Sequence, residues 1–238
     1  MKKRIVYILL IFFYSTINSQ ISKLGKITYE YDIQENFKKQ NDIDQNIINK
    51  FYKNLKESKS GIKYQLIFKD KEANYSLIKS LDSEENKNLK YAILITGGQE
   101  EVYIDLENRL VLKKIEMFGE NFIVKSTLTK DWIFTQETKN IGGYICYKAV
   151  LHNNKPQINK PDIEAWYSPK IPANFGPKGF GNLPGLILEL KVGPIIYFAS
   201  KIELNLKEKL KINKPTQGKL VTEEEFDEIL QGIDKFKK

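Results

Sequence analysis

The amino-acid sequence predicts a mainly β (α+β) fold: a single curved antiparallel β-sheet or half-barrel meander, with one helix after the first strand and one C-terminal helix. Three observations predict it. Short runs of β-branched and aromatic residues alternate with polar ones at a period of two. Glycine, asparagine or aspartate stands in the short gaps between those runs, as hairpin turns require. Helical periodicity is confined to two stretches, whereas a doubly wound parallel sheet needs a helix between successive strands.

Taken in order, the chain opens with Met1-Lys2-Lys3-Arg4, continues uncharged from Ile5 to Ile17, and then turns polar at Asn18-Ser19-Gln20. The apolar run is shorter than the roughly 20 residues of a membrane-spanning helix. Residues 1–19 therefore read as a signal peptide cut between Ser19 and Gln20. No cysteine stands near that site to carry acyl chains and no second hydrophobic stretch follows. The expectation is a mature chain without a transmembrane anchor, in the periplasm or secreted.

The first strand is expected at Lys26–Ile33. From Asp42 to Ser60, Ile43, Ile47, Ile48, Phe51, Tyr52 and Leu55 recur at helical spacing before Gly61. Strands are then expected at Ile62–Lys69, Ala73–Lys79, Lys90–Thr96, Glu101–Leu106, Arg109–Phe118 and Phe122–Leu128. Trp132-Ile133-Phe134 opens another, Thr138–Gly143 turns the chain, and Tyr144–Val150 and Ile163–Tyr167 follow. Pro169 and Pro172 stop the sheet, because proline fixes φ and removes a backbone donor. A loop rich in proline and glycine, Asn174–Gly185, then enters a strand at Leu186. At the far end Thr222 and Glu225 form a capping box ahead of the stripe Phe226, Ile229, Leu230 and Ile233. The expected organisation is a signal peptide (1–19), one β-rich domain (20–206), and a Lys-rich linker with an amphipathic helix (207–238).

Composition narrows the function. With 41% apolar and 29% charged residues, the chain is neither a disordered tail nor a disulfide scaffold. Lysine and arginine number 38 against 30 acidic residues, but the charges are interspersed and no nucleic-acid partner is expected. The single cysteine, Cys146, sits among Tyr144, Ile145, Tyr147 and Val150 and reads as a small buried hydrophobe. The single histidine, His152, has no G-x-S-x-G beside it, and one His with one Cys cannot furnish a zinc site. Glu100-Glu101 and Glu84-Glu85 are adjacent pairs that point to opposite faces of a strand, so they are solvated charges. The glycines at 176, 179, 181 and 185 lead into a strand and lack the Gly-Lys-Ser/Thr ending of a phosphate loop. No catalytic residue, metal or cofactor is expected.

Aromatic side chains make up 12% of the chain and lie on the strands, so a concave sheet could hold an apolar ligand with the stiff loop at its mouth. The candidate binding residues are Trp166, Tyr167, Phe175, Phe180, Asn182, Leu183, Pro184 and Gly185. The expected function is a non-enzymatic binding or carrier protein. The expected partner is a lipid, a peptide or an outer-membrane protein. One alternative is an interaction module accessory to an outer-membrane transporter or peptidase, docking through Phe175–Leu183. A hydrolase using carboxylates and tyrosines is the second alternative.

The strings TKNIGGYICYKA, IEAWYSPKIP and FGPKGFGNLPGLILEL, with the terminal acidic helix, resemble the GLPGLI family of exported proteins from Bacteroidota-type Gram-negative bacteria. The naming hexapeptide reads Asn182-Leu183-Pro184-Gly185-Leu186-Ile187 here, with Asn in place of the first Gly. Asparagine is the residue after glycine that best tolerates a left-handed backbone, so the turn should survive. The resemblance implies an envelope protein with a curved antiparallel sheet, similar in outline to periplasmic half-barrels that carry lipids or lipoproteins, and no established biochemical activity.

Overall fold

The computed structural model describes residues 24–34, 45–78, 86–117, 119–128, 131–152, 163–208 and 210–235. The expected signal peptide and its cleavage site, Ser19 and Gln20, lie outside them. The described strands form one sheet of 12 strands. They are β1 (Leu24–Ile33), β2 (Tyr64–Lys69), β3 (Glu72–Leu77), β4 (Glu101–Asp105), β5 (Leu110–Met117), β6 (Glu120–Thr127), β7 (Ile133–Ile141), β8 (Tyr144–Leu151), β9 (Ile163–Ser168), β10 (Leu186–Val192), β11 (Ile195–Leu204) and β12 (Lys219–Thr222). The helices are α1 (Gln45–Glu57), α2 (Lys87–Ile95) and α3 (Glu223–Lys235). No helix among the described residues is long and apolar enough to cross a membrane.

The sheet order, β12-β6-β5-β4-β3-β2-β1-β11-β10-β9-β8-β7, is two meanders joined where β1 pairs with β11. Chain continuity forces this sheet to curve. β6 and β7 are consecutive in sequence but ten strand spacings apart in the order, about 48 Å across a flat sheet. The six peptide units from Thr127 to Ile133 reach about 21 Å at most, so the sheet curls into an open half-barrel.

The pleat puts Tyr29, Tyr31, Tyr64, Leu66, Phe68, Ala73, Tyr75, Val102 and Ile104 on the concave face, where all are buried. Their outward neighbours, such as Thr28, Glu30, Gln65 and Asn74, are more exposed. α1 closes over one end, tied down where the Tyr31 hydroxyl donates to the Leu55 carbonyl at 2.6 Å. The predicted capping box forms as read, with Glu225 N–H donating to Thr222 Oγ1 at 3.1 Å and Thr222 N–H to Glu225 Oε2 at 2.8 Å. α3 then lays Phe226 edge-on against Phe122 of β6 at 5.6 Å.

Four local readings need correction. Lys90–Thr96, expected as a strand, is the last part of α2: Asn86 caps it by accepting from the N–H groups of Asn88 and Leu89, and Leu89, Ala92 and Ile93 form its buried stripe. The turn expected at Thr138–Gly143 is confined to Gly142-Gly143, because Thr138–Ile141 still pair with β8. β11, absent from the expected strands, is the seam between the two meanders. The Lys-rich stretch expected as a linker lies against the sheet. Ile212 packs with Tyr103, Leu112 and Ile123, and Lys219–Thr222 adds to β6 as β12, a parallel strand in an otherwise antiparallel sheet.

Candidate functional site: the interior loop and the β3–β4 groove

The loop from Ile171 to Gly181 lies inside the half-barrel. Phe175 is 1% exposed and stacks on Phe68 of β2 at 5.7 Å. Gly179 approaches Val102 and Val111 on the concave face of β4 and β5. The loop is cross-tied by Asn182 N–H to Asn174 carbonyl (2.9 Å) and Ile187 N–H to Phe175 carbonyl (3.0 Å). The Trp132 indole donates to the Gly181 carbonyl at 2.9 Å, with Phe180 edge-on to its ring. The hexapeptide turn is explained by backbone demands. Asn182 takes φ +64°, the left-handed conformation it was expected to tolerate. Gly185 has φ +152°, and a Cβ there would sit 2.2 Å from the Ser168 carbonyl oxygen.

The candidate residues are therefore divided. Phe175, Leu183 and Gly185 are buried within the half-barrel, and Phe180 is partly buried beside them. Asn182 and Pro184 are exposed at the turn. Trp166 faces outward beneath the Lys139 ammonium, 4.3 Å from its ring. Around it run the pairs Lys139–Glu189, Lys191–Glu164, Lys148–Glu164 and Lys148–Glu137. Burial alone would raise the Glu164 carboxyl, but hydrogen bonds from Lys191 and Lys148 outweigh it and hold the group below its ordinary range. Tyr167 is nearly buried on the concave side between Phe134 and Tyr147, both rings at 6.1 Å. Phe134 (58% exposed), Ile145 (48%) and Tyr147 (40%) leave that end of the sheet apolar and uncovered.

Ser168, at the end of β9, is buried with its hydroxyl donated to the Ile145 carbonyl at 2.9 Å. Cys146 is buried, and burial pushes its thiol up to about 11, away from thiolate chemistry. His152 lies exposed at the end of β8. No group of three or more His, Cys, Asp or Glu among the described residues could hold a metal ion.

A groove of about 1020 Å³ opens elsewhere, where the β3–β4 ladder ends. β3 pairs with β4 only as far as Tyr75↔Val102, yet continues along β2 to Leu77. The connection between them is filled by α2, so the two strands part. One wall is Gln65, Ile67 and Asn74–Ile78; the other is Gly98–Tyr103 with Lys114 and Glu116. Lys211 and Asn213–Gln217 form a strap along it. The strap is held by Asn74, whose side chain donates to the Asn213 carbonyl (2.9 Å) and accepts from the Asn213 N–H (2.6 Å). Lys214 reaches over the Tyr103 ring, and the Tyr103 hydroxyl meets Glu72.

Beneath the groove lies a set of buried phenols and one ion pair. Tyr64 stacks on Tyr75 at 5.4 Å and stands edge-on to Tyr197. The hydroxyls of Tyr64 and Tyr197 both donate to Thr96. Lys178, in the interior loop with φ +57°, extends to Glu100 at 3.5 Å. It passes Gly97, where a Cβ would lie 1.9 Å from its Nζ. Burial, reinforced by nearby Lys113, draws the Lys178 ammonium below its ordinary value against the opposing charge of Glu100. None of the sequence-predicted binding residues lines the groove. Its lining comes from five separated stretches, 65–67, 74–78, 93–103, 114–119 and 211–217, and the one signal in the sequence was the alternation that put Tyr75 on the inward face.

Residues 153–189 match a family described as a protein of unknown function, Porph_ging. The matched segment includes the hexapeptide turn and β9. No curated protein matches the chain. Among solved structures, two crystal forms of PNGF-II superpose with TM-scores of 0.55 and 0.54 at 16% identity, over 88% and 87% of this chain. The chain spans about one third of the length of PNGF-II, 33% and 32% in the two forms. That likeness is one of fold. The LolA superfamily protein NE2245 from Nitrosomonas europaea aligns over 83% of this chain and 89% of its own at 9% identity, with a TM-score of 0.27.

Proposed function

We propose that this is an exported binding protein of the cell envelope, of the GLPGLI type, that holds an apolar or amphipathic ligand without transforming it. The observation that carries the reading is the groove of about 1020 Å³ between β3, β4 and the strap, a volume at the upper end of small-molecule sites. Its surface mixes aliphatic and aromatic side chains with amides, hydroxyls and six charged side chains, three acidic and three basic, a lining suited to an amphipathic ligand with a polar end. The N-terminal pattern supports export through residues 1–19. The interior loop acts as scaffold in this reading: it fixes Lys178, which neutralises Glu100 on the groove wall.

Native mass spectrometry of the mature protein, purified from its own periplasm and measured before and after organic extraction, tests the reading. A lipid-sized mass removed by extraction is the expected result. A bare polypeptide mass in both samples contradicts it.

A second reading rests on a different observation, the uncovered Phe134, Ile145 and Tyr147 beside the open edge of β7. An edge strand with apolar neighbours suits addition of an extended strand from an envelope protein. A photo-crosslinker at Phe134 that captures a discrete outer-membrane partner, lost on Phe134→Glu, would favour this interaction module over the carrier.

A further inference from the structure

Five tyrosines, Tyr29, Tyr31, Tyr64, Tyr75 and Tyr197, are at most 2% exposed on the concave side. Four of their hydroxyls are matched to acceptors in the protein: Tyr29 to the Ile187 carbonyl (2.6 Å), Tyr31 to the Leu55 carbonyl (2.6 Å), and Tyr64 and Tyr197 to Thr96. The Tyr75 hydroxyl is as deeply buried and makes no hydrogen bond among the described residues. Tyr75 is also the one of the five that lines the groove. A buried donor without an acceptor destabilises the fold, and native structures retain few of them.

We propose that the Tyr75 hydroxyl anchors the ligand by donating to an oxygen acceptor, so that the groove selects molecules in which an apolar chain ends in a carbonyl or carboxylate. This inference rests on the groove being the binding site. The surroundings fit both halves of such a molecule. Ile67, Leu77, Ile78, Ile93, Val102 and Pro215 offer apolar surface along the groove. Glu100, the carboxylate on the wall beside Tyr75, is already paired with Lys178, so an incoming oxygen does not face an unpaired negative charge. Burial raises the Tyr75 phenol well above its ordinary value, which keeps it a donor throughout the neutral range.

The experiment compares the wild-type mature chain with Tyr75→Phe and Tyr64→Phe. Displacement of the fluorescent fatty acid cis-parinaric acid by dodecanoic acid, methyl dodecanoate and dodecane is measured, together with each melting temperature. Tyr75→Phe is expected to weaken the ester roughly five- to tenfold, the worth of one neutral hydrogen bond, to weaken the ionised acid at least about tenfold because its bond is charge-assisted, and to leave dodecane unchanged. Its melting temperature should equal or exceed that of the wild type, because an unmatched buried hydroxyl is removed. Tyr64→Phe, which loses a matched hydroxyl outside the groove, should melt lower and keep the wild-type ratio of acid to dodecane. An unchanged ratio in Tyr75→Phe, or an equal loss for all three competitors, overturns the anchor while leaving the groove as the site. Failure of the wild type to bind any of the probes overturns the groove reading and the anchor with it.

Discussion

Raising the pH should unfold this protein over a narrow range, because its core holds phenols that cannot ionise in place. Burial raises Tyr29, Tyr31, Tyr64, Tyr75 and Tyr197 above the ordinary tyrosine value of 10.0. The folded state therefore keeps protons that the unfolded chain releases above that pH. The stability from these five phenols is fully present below about pH 10 and falls as the pH rises beyond it. Each group removes about 1.4 kcal/mol per pH unit, so the five together remove about 7 kcal/mol per unit. That loss is comparable with the whole stability of a typical domain, and the unfolding midpoint should fall near pH 11. Cys146, raised to about 11, acts in the same sense from the ordinary thiol value of 9.0 upward. Lys178 acts in the opposite sense, since its ammonium is disfavoured by folding, but only below the ordinary lysine value of 10.5. Urea unfolding followed by circular dichroism from about pH 8 to about pH 11.5, with phenolate absorbance recorded in parallel, measures the slope. Tyr31→Phe should reduce the slope above pH 10 by the share of one phenol, about 1.4 kcal/mol per pH unit. A stability that stays level through pH 11, or five phenols that ionise without unfolding, would refute the argument.

Three further outcomes are expected. Gly185→Ala forces a Cβ to 2.2 Å from the Ser168 carbonyl oxygen at φ +152° and should cost about 3 kcal/mol or more in urea unfolding, whereas Asn182→Gly should stay within about 1 kcal/mol of wild type. Cys146 should resist iodoacetamide at neutral pH in the folded protein and react in full once it is unfolded, since its thiol is buried and raised to about 11. Asn74→Ala releases both hydrogen bonds to Asn213 and should cost no more than about 1.5 kcal/mol while making the Lys211–Ile212 bond cleavable by trypsin.

Strand alternation located most of β1 to β10 to within a few residues, because one face of each strand is buried and the pleat writes that burial into the sequence. Composition failed where tertiary context decided. Leu89, Ala92 and Ile93 satisfy a helical stripe, yet Lys90–Thr96 is rich enough in β-branched and aromatic residues to read as a strand. The proline and glycine pattern of Asn174–Gly185 announced a specified loop, but nothing local indicated that Phe175 would stack on Phe68, 107 positions earlier in the chain. The groove was less legible still. It exists because the β3–β4 ladder stops at Tyr75↔Val102 and a strap from residues 211–217 returns to that gap, a juxtaposition with no local signature. The missing acceptor at Tyr75 is likewise a property of the packed interior.

The central claim is that the ligand occupies the β3–β4 groove, and photo-labelling tests it most directly. The mature protein is irradiated with a diazirine-bearing fatty acid and the adducts are mapped by peptide mass spectrometry. Adducts on the groove wall and strap, at Asn74–Ile78, Gly98–Tyr103 or Asn213–Gln217, are the predicted result. Labelling confined to Phe134, Ile145 and Tyr147, or no saturable labelling at all, would contradict it.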